Sequence, residues 1–139
     1  MKIMAIDYGD ARTGVAVSDR TLTLCGYSTV VTAYRPEAVI GQLQTLIAEH
    51  EVTELVLGHP INLDGSRGPR AEKAEAFAGQ LRAATGLPVT LWDERRTTID
   101  AHNILANNGR RAKEHRKTVD AVAASLMLEG YLAYNKRNG

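Results

Sequence analysis

Apolar and polar positions alternate in blocks along the chain, and the blocks predict a sequence of elements. Lys2–Ile6 is a compact apolar run that stops at Asp7, the pattern of a strand buried on both faces. Tyr8-Gly9-Asp10-Ala11 is turn chemistry, and Thr13–Ser18 follows with Val15 and Val17 in alternation, so the first two strands form a hairpin. The β-branched stretch within Tyr27–Ala33 predicts a third strand. After Pro36, Val39, Leu43, Leu46 and Ile47 recur every three to four residues, which predicts an amphipathic helix over Glu37–His50. Glu54–Gly58 is a fourth, buried strand, and Pro60–Pro69 is a loop rich in Gly, Asn, Asp, Ser and Pro. Arg70–Thr85 places Ala74, Phe77, Ala78 and Leu81 on one face of a second helix that ends at Gly86. A short strand, Pro88–Trp92, and a third helix, Thr97–Asn107, follow. Arg110–Arg116 is polar and charged and reads as a mobile loop, and Thr118–Tyr134 is apolar nearly all round, a largely buried helix.

The predicted order is βββαβαβαα. Strands followed by helix-linked strands imply an α/β fold with a mixed sheet and an antiparallel hairpin. No internal repeat, low-complexity tract or linker divides the chain, so residues 1–139 are expected to form one domain.

Composition narrows the class. Hydrophobic residues make up 44% and charged residues 24% of the chain, which argues against disorder. The single cysteine, Cys25, allows no intramolecular disulfide, and four scattered histidines with one cysteine do not make a structural zinc site. No run approaches the roughly 20 apolar residues that span a bilayer, and Met1–Tyr8 lacks the features of a signal peptide, so the expected compartment is the cytoplasm and no membrane is involved. The net charge of +1 hides an uneven distribution. Arg95, Arg96, Arg110, Arg111, Lys113, Arg116 and Lys117 face only Asp100 and Glu114 between residues 95 and 117, a local +5. That excess suits a phosphate-binding footprint, and equally a solvated loop and helix face.

Acidic residues stand where burial makes them expensive. Asp7 ends an apolar strand, Asp93 and Glu94 follow another, and Asp120 lies in the first turn of a very apolar helix. Each has an ordinary explanation alone: a turn residue, a pair with Arg95 or Arg96, a favourable charge at a helix amino end. As a set they line one edge of an open sheet, where ligands gather at strand carboxyl ends. Converging carboxylates need a cation between them, and all-oxygen ligation with open positions suits Mg²⁺ or Mn²⁺. Gly9 and Gly14 permit a tight turn or close approach to a ligand, and Arg12 beside them can meet a phosphate or pair with Asp10. The Asp64–Gly68 loop either touches substrate or simply connects two elements. There is no P-loop, no GxGxxG after a strand and no GxSxG elbow.

Together these residues resemble the YqgF/RuvX family, Holliday-junction-resolvase-like proteins of the RNase H superfamily. The resemblance is carried by Asp7-Tyr8-Gly9 through Arg12 and Gly14, Val56-Leu57-Gly58-His59-Pro60, Asp64-Gly65-Ser66, Asp93-Glu94-Arg95 with Thr97-Thr98, and Val119-Asp120-Ala121. His59 departs from it, since an apolar residue is expected before that proline. The resemblance implies an RNase H-like five-stranded mixed sheet, an antiparallel hairpin plus parallel strands, flanked by helices. It implies a metal site of Asp7, Asp120 and one acid of the Asp93-Glu94 pair, with Glu94 favoured. It also implies a metal-dependent nuclease associated with 5′-end maturation of precursor 16S ribosomal RNA. Two Mg²⁺ ions would clamp the scissile phosphate there, Asp7 would bridge them, and Arg12 with the 95–117 segment would hold flanking phosphates. The expected partners are structured RNA or branched DNA, and through the RNA the pre-ribosomal small subunit, with the protein a monomer or homodimer. The alternatives are a junction-resolving DNA nuclease and a nucleic-acid-binding relative without hydrolysis. A sugar-kinase-like phosphotransferase needs two such domains, and a helix-turn-helix reader would need a less apolar second helix than Val119–Leu132.

Overall fold

The computed structural model describes residues 1–22, 24–62, 64–93 and 112–138. The described elements are β1 (Lys2–Asp7), β2 (Arg12–Ser18), β3 (Cys25–Thr32), α1 (Pro36–His50), β4 (Val52–His59), α2 (Pro69–Thr85), β5 (Val89–Asp93) and α3 (Ala112–Asn138). Each begins and ends where local chemistry dictates. Proline occupies the first turn of both α1 and α2, where its missing N–H costs nothing. Gly86 ends α2 in the left-handed region at φ 70°, a conformation that favours glycine. The hairpin between β1 and β2 turns so tightly at Gly9 that a Cβ there would sit 2.3 Å from the Arg12 carbonyl oxygen.

The five strands form one sheet in the order β3-β2-β1-β4-β5. β1 pairs antiparallel with β2 and parallel with β4, and β4 pairs parallel with β5. The expected hairpin and mixed sheet are therefore present, with β1 at the centre. Strand alternation sends successive side chains to opposite faces. Met4, Ile6, Val15, Val17, Leu55 and Leu57 pack on one face against α1 and α2, through Val39, Leu43, Phe77 and Leu81. Ile3, Ala5, Ala16, Val56 and Trp92 pack on the other against α3, through Ala124, Met127, Leu128, Tyr131 and Leu132. Helices on both faces explain why β1 reads as one apolar run rather than an alternating one.

The reading of Arg110–Arg116 as a loop is corrected: from Ala112 onward the backbone is helical. Ala112-Lys113-Glu114-His115-Arg116-Lys117 contains no Gly or Pro and is rich in strong helix formers, so its polarity does not break the helix. The helix expected over Thr97–Asn107 lies outside the described residues.

Candidate active site

Asp7 is the last residue of the central strand and is half-buried. Its partner across the hairpin is Gly14. On the other side Ile6 pairs with Leu57, so the next rung brings Asp7 alongside Gly58. Both neighbours in the sheet therefore lack side chains. Among the described residues no hydrogen bond or ion pair reaches the Asp7 carboxylate. By alternation it shares the face of Ile3 and Ala5, the side covered by α3. Arg12, the first residue of β2, shares that face with Gly14 and Ala16, so a guanidinium stands on the same side of the same edge.

Asp93 ends β5, which runs parallel to β1 with β4 between them. Two strand spacings separate the two positions, about 10 Å. Asp93 follows the phase of Val89 and Leu91, which face α1 and α2, so it does not share the face of Asp7. Trp92, one residue earlier, belongs to the α3 side. Glu94, Arg95, Arg96, Arg110 and Arg111 lie outside the described residues. Position 120 is within α3, one helical turn before the fully buried Ala124, and positions 113, 116 and 117 fall in the first two turns.

The direction of α3 follows from contacts of its carboxyl-terminal half. The Tyr131 hydroxyl donates to the Glu54 carboxylate at 2.5 Å, and Glu54 pairs with Ile3 near the start of β1. Burial, with Glu54 beside it, holds the Tyr131 phenol above its ordinary pKa. Leu132 and Asn135 line a cavity with Ile3 and Leu22. The helix therefore ends over the amino end of β1, and its earlier turns run back toward the carboxyl edge that carries Asp7.

A second polar group occupies the same edge on the α2 side, and the sequence pattern did not single it out. His59 ends β4 in register with Asp93, and its Nε2 lies 2.6 Å from Glu75 Oε2 of α2. Arg67 donates to both oxygens of the same carboxylate, through Nε at 2.8 Å and through its terminal nitrogen. These two partners, Arg67 first, hold the Glu75 carboxyl below its ordinary range. Lys73 donates to Asp10 at 2.5 Å and tethers α2 to the hairpin turn, which lowers the Asp10 pKa. Tyr8 stacks on the buried Phe77 with ring centroids 3.9 Å apart. The departure at His59 was the only signal of this group in the sequence, because its pairs join residues 8 to 63 positions apart.

With this geometry in hand, comparison with known proteins is informative. The family model of RuvX, described as Holliday junction resolvase, matches residues 1–134. The chain belongs to the RuvX family. A relative from Halothermothrix orenii is 41% identical over 140 residues, all of both chains, and carries the name "Putative pre-16S rRNA nuclease". One of the same name from Carboxydothermus hydrogenoformans is 36% identical over 138 residues, 99% of this chain and 100% of the relative. In structure, RuvC of T. thermophilus in complex with a Holliday junction substrate matches with a TM-score of 0.63 at 12% identity, covering 100% of this chain and 98% of that one. At that identity the match speaks for the fold, the RNase H-like sheet expected for a RuvX member. No helix among the described residues is long and apolar enough to cross a membrane.

Proposed function

We propose that this RuvX member is a metal-dependent nuclease that hydrolyses phosphodiester bonds in precursor 16S ribosomal RNA, at its 5′ end and in the cytoplasm. The single observation that carries the reading is Asp7: a half-buried carboxylate, without a hydrogen-bond or ion-pair partner among the described residues, between two glycine positions at the carboxyl edge of a parallel sheet. A carboxylate in that position is costly unless a cation accompanies it. Among the described residues no three acids, histidines or cysteines gather closely enough to hold a metal. Glu94, which follows β5 in sequence, and Asp120, within α3, are the acids that would complete the set. Glu94 is the residue directly after Asp93 in sequence, and position 120 lies one helical turn before the buried Ala124 in α3. Asp93 fits less well, because its phase points to α2.

The donor set is all oxygen and suits Mg²⁺ or Mn²⁺. Such an ion would supply Lewis acidity toward the phosphate and a lowered pKa for an attacking water. The chain's own contribution is positioning. Asp7 is fixed at the end of the central strand of the sheet. Arg12 stands on its face of the edge to meet a flanking phosphate, and the cations Arg95, Arg96, Arg110, Arg111, Lys113, Arg116 and Lys117, a local +5 in sequence, would supply further phosphate contacts. The names of the close relatives favour RNA as substrate over a DNA junction.

The test compares wild type with Asp7→Asn on a labelled 16S precursor fragment carrying its 5′ extension, and on a four-way DNA junction, with Mg²⁺, Mn²⁺ or EDTA. The expected result is metal-dependent cutting of the precursor that Asp7→Asn abolishes. Cutting of the junction alone would move the assignment to DNA, and equal cutting by Asp7→Asn would remove Asp7 from the chemistry.

A further inference from the structure

We infer that the start of α2 is a second RNA-phosphate site: Arg70 and Lys73, flanked by Arg67, hold the backbone of the strand where it leaves Asp7 and crosses the carboxyl edge to the α2 side. The inference deepens the nuclease reading and rests on it. Its first support is placement. Asp7 is followed directly by Tyr8, Gly9 and Asp10, and these three line a shallow surface cavity with Pro60, Arg70 and Lys73. A strand bound at Asp7 reaches this cavity without leaving the sheet edge.

Its second support is the state of the cations. Arg67, Arg70 and Lys73 are all exposed and fall within seven residues. Lys73 is paired, but with an Asp10 side chain that is 90% exposed. An ion pair in water contributes little, so a phosphate can replace that carboxylate at small cost. Asp10 then acts as a stand-in anion that keeps Lys73 extended over the Tyr8 ring, 5.8 Å from its centroid, until RNA arrives. Arg67 is held more firmly, by two bonds to Glu75, and is presented rather than released. Charge counting along the sequence hides this face, because the nearby acids Asp64, Glu72 and Glu75 cancel it locally.

The site makes a prediction of opposite signs. In an Asp7→Asn background, which permits binding without turnover, affinity for the labelled precursor is measured by anisotropy against KCl concentration. Arg70→Gln with Lys73→Gln should weaken binding and make the log–log salt slope shallower by about 1.4, the loss of two contacts to a single strand. Asp10→Asn should tighten binding, since it frees Lys73 of its competitor. Arg20→Gln, an exposed cation in the turn after β2 at the opposite edge, should do neither. Thermal unfolding of each variant separates lost binding from lost folding. A double variant with the parental slope, or an Arg20→Gln change of equal size, overturns the inference while the nuclease reading stands. A parent protein that does not bind the precursor overturns both.

Discussion

At the scale of single residues, two oxygen-bearing side chains without a partner among the described residues, one half-buried and one fully buried, have different meanings. Asp7 is a carboxylic acid at the sheet edge, and without a partner among the described residues it leaves room for a ligand. Thr13 is fully buried, and its hydroxyl has no hydrogen-bond partner among the described residues. It shares the phase of Val15 and Val17, which face the α1 and α2 core. A buried hydroxyl left unpaired costs about 1–3 kcal/mol. Thr13→Val, nearly equal in shape, should therefore raise stability by about 1 kcal/mol in denaturant unfolding and leave cleavage unchanged. A loss of stability would show that the hydroxyl has a partner in solution. Asp7 was legible from sequence because an acid ending an apolar strand is a local anomaly. Thr13 was not, because one threonine in an alternating strand looks the same whether its hydroxyl is paired or orphaned.

At the scale of elements, α2 is joined to the carboxyl edge by carboxylates whose titration reports the joint. Arg67 and His59 favour the charged form of Glu75, so its pKa lies below the ordinary 4.5 in the folded protein. The stabilisation is complete above about pH 4.5 and disappears as the pH falls through the lowered value, because the unfolded chain takes up the proton first. Carbon-detected NMR titration should place the Glu75 midpoint below 4.5, and Arg67→Ala should move it back up. Amide exchange at the start of α2 should quicken in that acid window alone. A midpoint at or above 4.5 in wild type would mean that Arg67 and His59 do not hold Glu75 in solution. The helix itself was readable from its apolar stripe and its proline and glycine ends. Its ties were not, because Lys73 and Asp10 are 63 residues apart and only the folded sheet brings them together.

At the scale of the whole molecule, the sheet presents two distinct polar faces at one edge: Asp7 and Arg12 toward α3, and His59, Asp93 and the Glu75 network toward α2. If Asp7 holds a cation, binding is linked to folding, and a hundredfold excess over Kd stabilises by about 2.7 kcal/mol. Mn²⁺ should then raise the Tm of wild type by several degrees and that of Asp7→Asn by much less. Asp93→Asn should keep the shift, because Asp93 stands on the other face. Equal shifts in wild type and Asp7→Asn would place the ion elsewhere.

Taken alone, the sequence determined the order of the described elements, the burial of β1 on both faces and the hairpin, and it singled out Asp7 as a candidate. These are local properties: periodicity, proline and glycine positions, and an acid at the end of an apolar run act over a few residues. The same locality misled over residues 112–116 of the expected Arg110–Arg116 loop, where polarity argues for a break although the residues are good helix formers. Only the tertiary structure decided that β4 lies between β1 and β5, that Asp93 turns to the α2 side, and that Arg67, Arg70 and Lys73 arrive at the edge that carries Asp7. Strand order and register are set by which faces bury against which helices. One rung of register decides on which side of the sheet a carboxylate stands.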